Sequence, residues 1–188
     1  GGATNIASGT QSSVGGGFLN CATANYSSIG GGYNSRTTGS FATVGGGDTN
    51  AASGCRSTIG GGNSNSASAV YGTIAGGQSN TASGYNSAVG GGVGNVASGA
   101  QSTVSGGWNN CATGINSTVA GGRLNIASSC SSFVGAGQNN TASGYMSTIG
   151  GGFSNLTANQ FSTIGGGYDN TVSGNQGFVG GGQVNTAS

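Results

Sequence analysis

The chain repeats itself every 15 residues, and this period limits what it can fold into more than any other feature. A fixed internal repeat marks architectures in which each unit buries its inner face only by stacking on its neighbours. Counted from the first glycine of 15–17, eleven complete units span residues 15–179, with partial units at both ends. Position 3 of the unit is glycine in every copy, and position 6 is Asn in all but one, where Ser35 stands. Position 8 is mostly Ala, with Thr37, Thr157 and Val172 as exceptions; position 13 is mostly Ser; position 15 is always Val or Ile. Positions 4, 5, 11 and 12 vary freely.

Side chains alternate along an extended strand. "N-x-A-S" therefore turns Asn and Ala to one side and positions 7 and 9 to the other, and "S-T-V-G" turns Ser and Val inward and Thr outward. Glycines after each segment supply the positive φ that tight corners need. No 3.6-residue apolar period exists that would favour a helix. Low charge with abundant Gly and Ser also suits a disordered linker, but disorder has no use for a strict period. The expected fold is all-β: a single parallel β-solenoid (a β-roll) over residues 1–188, with two short strands per coil. Stacked at ~4.8 Å, about twelve and a half coils make a rod roughly 60 Å long. The chain starts and stops in mid-repeat, as expected of a segment of a longer repeat protein. Neither end shows Pro or a charged blocker, so either flanking domains cover the end strands or rods stack end to end.

The core of such a roll is thin: one Val or Ile, one Ala, one Ser and one Asn per coil. An unsatisfied buried amide costs about 1–3 kcal/mol. The Asn column is therefore expected to form a ladder between coils, as stacked amides do in cross-β packing.

Composition excludes several functions. There is no His, Lys or Glu, and the only charges are Arg36, Arg56, Arg123, Asp48 and Asp169. Two isolated aspartates offer no general acid–base pair, and no serine has a base to activate it. The glycine runs lack the lysine of a phosphate loop. An enzyme, a cofactor and a metal site are not expected. Three arginines make no nucleic-acid surface, and no apolar run reaches the roughly 18 residues of a membrane span. Cys21 and Cys111 share position 7 six coils apart, and Cys55 and Cys130 share position 11 five coils apart, which disfavours disulfides within the chain.

Two outward faces remain. One carries Thr43, Thr58, Thr73, Thr103, Thr118, Thr148 and Thr163 at position 14, interrupted by Phe133 and Phe178. The other mixes Ile6, Val96, Ile126 and Leu156 at position 7 with Thr and Ser. Aromatics gather at the corners: Phe18, Tyr33, Trp108, Phe153 and Tyr168 at position 4, with others at positions 11 and 12. These rings suit either a recognition surface or a cover for the glycine corners. A flat, uncharged Thr/Ser array suits ice; a small or apolar flat face also lets neighbouring chains approach.

The pattern "GGGxxNTASGxxSTVGGG" resembles the low-charge repeats in the heads of trimeric autotransporter adhesins and related fibre proteins. That resemblance implies a left-handed parallel β-roll, three chains side by side, at the cell surface or outside the cell, acting in attachment to a host-surface ligand. The better-known head repeat of that family has 14 residues, whereas this one has 15. The "N-x-A-S-G" half is also similar to the β-roll antifreeze proteins of grasses, which place Val where this chain has Ala. The expected function is a non-enzymatic segment of an extracellular fibre or adhesin, self-associating as a trimer. Ice binding and an end-to-end filament are the alternatives.

Overall fold

The computed structural model describes residues 2–188, and every regular element among them is a two-residue β-strand. They fall into two compact units, residues 2–94 and 95–188. Each unit is a parallel β-solenoid of 15-residue coils, with two strands per coil in two sheets. In the first unit one sheet runs from Ile6–Ala7 to Thr81–Ala82 and the other from Ser13–Val14 to Ala88–Val89. In the second unit the sheets run from Val96–Ala97 to Thr186–Ala187 and from Thr103–Val104 to Phe178–Val179. Within each unit a residue pairs with the residue 15 further on, as in Thr43 with Thr58 and Val104 with Val119.

The alternation in the sequence produces the expected layers. Val or Ile at position 15 and Ala at position 8 form the apolar core, with Ile74, Val104 and Ala112 fully buried. Asn and Ser at positions 6 and 13 are buried beside them, Asn50 and Ser57 among them. Position 13 hydroxyls close the adjoining turn: Ser57 Oγ donates to the Gly54 carbonyl at 2.7 Å and Ser117 Oγ to that of Gly114 at 2.7 Å. Where position 8 is Thr rather than Ala, its hydroxyl crosses the core, Thr37 donating to Ser27 Oγ at 3.0 Å. The hydroxyls of Ser87 and Ser102 are buried without a partner among the described residues, and nothing in the structure explains them.

The corners differ from the expectation in two ways. Position 3 glycines do hold positive φ, Gly122 at +86°, and a Cβ there would overlap the Gly137 carbonyl oxygen of the next coil. Glycine is required twice over at that position. The other two left-handed positions, however, are 5 and 12, and they carry ordinary residues: Leu19 at +60°, Tyr26 at +60°, Phe41 at +61°, Arg56 at +57°. The reason lies in the hydrogen bonds. Strand N–H groups donate forward, as Ile6 does to Asn20 at 2.8 Å, whereas positions 5 and 12 donate backward. Tyr26 N–H donates to Thr10 O at 2.8 Å and Asn34 N–H to Phe18 O at 2.9 Å. The left-handed conformation turns the amide round to reach the previous coil. Position 10 glycines such as Gly39 serve a different end: their φ is not positive, but a Cβ would overlap the carbonyl oxygen of Gly54.

A third ladder accompanies the two sheets. Position 4 forms single-residue parallel bridges from coil to coil, Phe18 to Tyr33 to Asp48 to Asn63 in the first unit and Trp108 to Arg123 in the second. Only the backbone takes part, which is why the side chain at position 4 is free to vary.

Candidate interaction surfaces

The Asn ladder is the first arrangement with chemical content. Asn125 Nδ2 donates to the carbonyl of Gly121 in its own coil and to that of Gly137 in the next, each at 2.9 Å. Its Oδ1 accepts the backbone N–H and the side-chain amide of Asn140, both at 3.0 Å. Every polar atom of this fully buried side chain is thus spent inside the solenoid. The column is structural, and it links mainly side chain to backbone rather than amide to amide.

One rung differs. Ser35 still accepts the Asn50 N–H through its hydroxyl, at 3.2 Å, but has no amide to reach the carbonyls of Gly31 and Gly47. A hollow of about 270 Å³ opens beside it, lined by Leu19, Cys21, Asn34, Arg36, Thr49, Asn50 and Ala51 as well as Ser35. The sequence marks this spot only as the one exception in the Asn column.

The position 7 face is uneven. In the first unit the column reads Ile6, Cys21, Arg36, Ala51, Ser66, and Ile6 stands 51% exposed with Cys21 as its neighbour. The second unit gathers the other three candidates into one stripe: Val96, Cys111, Ile126, Thr141 and Leu156 stand in register on successive strands. Ile126 is exposed and the rest are half-buried. Burial pushes the Cys111 thiol pKa above its ordinary value, so the thiol stays neutral within this apolar stripe. All four cysteines are free thiols.

The position 14 face brings the threonines into register as well. Thr43, Thr58 and Thr73 line up in the first unit, and Thr103 with Thr118, and Thr148 with Thr163, in the second. Phe133 and Phe178 interrupt the second column, 38% and 69% exposed. Both rings lean towards the outward glycines of the same face, Gly135 and Gly180.

At the corners the aromatics stack on one another. Phe18 and Tyr33 lie 5.9 Å apart at 12°, and Phe153 and Tyr168 lie 5.3 Å apart at 6°. Trp108 carries the Arg123 guanidinium 4.4 Å from its ring centre. The opposite corner of the first unit is more continuous. Tyr26 stacks on Phe41 at 4.7 Å and 4°, Arg56 sits 5.4 Å from Phe41 and 5.6 Å from Tyr71, and Tyr71 meets Tyr85 edge-on at 6.0 Å. Arg56, at position 12 between two aromatic rungs, joins the stack although its side chain carries no ring. Stacking along the edge occupies ring faces and leaves ring rims outward.

Among the described residues no three His, Cys, Asp or Glu side chains come together as a metal site would need, and no helix is long and apolar enough to cross a membrane. A scan against known protein families matches no family model, and a search of curated proteins finds no relative.

Proposed function

We propose that this chain is a non-enzymatic β-solenoid segment of an extracellular fibre or adhesin, working through lateral association with further copies of itself. The number of copies follows the resemblance to trimeric adhesin heads, namely three. The observation that carries the reading is the stripe Val96, Cys111, Ile126 and Leu156. These side chains stand outside a core that is already complete without them. Covering a Val or Ile contributes about 1.5–3 kcal/mol when complete, and stacked repeats multiply each such contact. An exposed apolar stripe, here broken only by Thr141, is a mark of a protein contact.

The test is the mass in solution by light scattering or sedimentation. The unmodified chain is expected to be a trimer. Val96→Arg combined with Ile126→Arg is expected to weaken the assembly by about 100-fold or more, since each 1.4 kcal/mol is tenfold. Position 7 already carries Arg36, so the coil tolerates the substitution. A monomer at high concentration would overturn the reading.

Ice binding is a second reading, favoured by the in-register column Thr43, Thr58 and Thr73, which is flat and uncharged. Phe133 and Phe178 project from the same column in the second unit and oppose a planar fit. The unmodified protein is expected not to shape growing ice crystals. Ice shaping that disappears in Thr103→Tyr with Thr118→Tyr would replace the fibre reading with this one.

A further inference from the structure

We propose that neighbouring copies meet edge to edge, parallel and at equal coil height, with Asp48 of one copy facing Arg56 of the next. The inference rests on the reading that the chain self-associates, and it names the contact that sets the register.

The argument comes from comparing the two edges of the first unit coil by coil. Position 4 lies at one corner and position 12 at the other, separated by the strands. Three successive coils carry Phe18 with Tyr26, Tyr33 with Phe41, and Asp48 with Arg56. Aromatic faces aromatic twice, and then acid faces base. Within one chain Asp48 and Arg56 belong to opposite corners of their coil. In a neighbour set beside the first at the same height, the position 4 edge of one chain meets the position 12 edge of the other. All three pairs are then satisfied together. A shift of one coil either way sets Asp48 against Phe41 or Tyr71 and strands both charges. Pairing two position 12 edges instead provides no opposite charge for Arg56, and pairing two position 4 edges at equal height sets Asp48 against Asp48. In the second unit the same comparison yields one aromatic pair, Phe153 with Phe161, so the register is written chiefly in the first.

Both charges are already held in place. The Asp48 carboxylate accepts Thr49 Oγ1 at 2.6 Å and Asn63 Nδ2 at 3.1 Å. The Arg56 guanidinium lies between Phe41 and Tyr71, and its Nη1 donates to the Tyr71 hydroxyl at 3.1 Å. Its remaining N–H groups are available to a carboxylate from another chain. The four aromatic members of the pattern are each nearly half exposed, from 45% for Phe18 to 48% for Tyr33. An edge-to-edge contact covers their rims. Because the two edges differ, the contact is heterologous, and three copies related by a closing rotation form a ring. One sheet face of each copy then turns toward the ring axis, compatible with the apolar stripe at position 7.

The test reverses the charges. Asp48→Arg and Arg56→Asp are each expected to weaken self-association about tenfold or more, because like charges brought together across a contact repel. The doubly reversed chain D48R/R56D is expected to recover association to within about threefold of the unmodified one, since the pair is restored with its sign exchanged. The coil accepts both changes: position 4 carries Arg123 elsewhere, and Asp tolerates the left-handed conformation of position 12. Should circular dichroism show a reversed variant unfolded, Asp48→Asn and Arg56→Gln place residues native to those positions (Asn63, Gln101) and are expected to weaken association by a smaller factor. An assembly indifferent to the single changes, or a double variant no better than the singles, overturns the edge contact and leaves self-association standing. A chain that is monomeric unmodified overturns both.

Discussion

Val104→Asp is expected to remove most of the β-type circular dichroism of the second unit at neutral pH and to leave the neighbouring coils open to protease. Val104 is fully buried and pairs with Val119 on the next strand. The substitution forfeits about 1.5–3 kcal/mol of aliphatic burial. It also places a carboxyl where the adjoining residues are Ala and Val or Ile, at an additional cost of about 2–7 kcal/mol for an unpaired polar group. That sum rivals the ~5–15 kcal/mol net stability of an ordinary domain. A solenoid coil is held only by its neighbours, so the damage spreads to adjacent coils before it reaches distant ones. The pH dependence has a definite sign. Burial raises the folded-state pKa of the introduced carboxyl above its unfolded value of about 3.9. Stability is therefore greatest below about pH 4, where both states bind the proton, and falls as pH rises through the folded-state pKa. A Val104→Asp chain with an unchanged spectrum and an unchanged urea midpoint at neutral pH would mean that this side chain does not face a closed core.

The inner layers of the solenoid were legible because each inward position is chemically distinct from its outward neighbours. Asn at 6, Ala at 8, Ser at 13 and Val or Ile at 15 alternate with residues that change from coil to coil, and burial together with the hydrogen bonds of Asn and Ser imposes that constancy. The left-handed corners were legible only in part. At position 3 both φ and the neighbouring carbonyl demand glycine, so the sequence shows it in every copy. At positions 5 and 12 nothing crowds the side chain, so Leu19, Tyr26, Phe41 and Arg56 occupy the same left-handed conformation without advertising it. The bridge ladder at position 4 was hidden for a related reason, being made of backbone alone. The two faces were visible as columns, but period alone did not show that Ile6 stands apart from the Val96, Ile126 and Leu156 stripe. That distinction depends on the Cys21 and Arg36 rungs beside Ile6 and on the half-burial of Cys111 in the other unit. What covers a face is not encoded in the face's own periodicity, which is why Thr columns suit both ice and a neighbouring chain until Phe133 and Phe178 are weighed.

Asn125→Leu is expected to destabilise the fold by about 3–6 kcal/mol, Asn125→Ser by about 1–3 kcal/mol, and Ser35→Asn to stabilise it by about 1–2 kcal/mol, on the usual worth of hydrogen bonds made or left unmade. The ordering follows from which partners each side chain leaves. Leucine removes the acceptor of the Asn140 N–H and the donor to the Gly121 carbonyl, and its branched end strains a site shaped for an amide. Gly137 loses less, because its carbonyl also accepts the Arg123 N–H at 2.9 Å. Serine keeps an acceptor for the next coil, as Ser35 does for Asn50, and forfeits only the amide's donations. The chain thus contains a natural instance of the milder change, Ser35 itself, whose side chain is fully buried. Restoring Asn at that rung returns donors to the carbonyls of Gly31 and Gly47, as Asn50 supplies them to Gly46 and Gly62 at 3.0 and 2.9 Å. Urea midpoints at constant m-value measure all three variants. Equal losses for Leu and Ser at position 125 would show that the side-chain acceptor contributes nothing to the ladder, and a loss on Ser35→Asn would show that the core around Ser35 leaves no room for the amide.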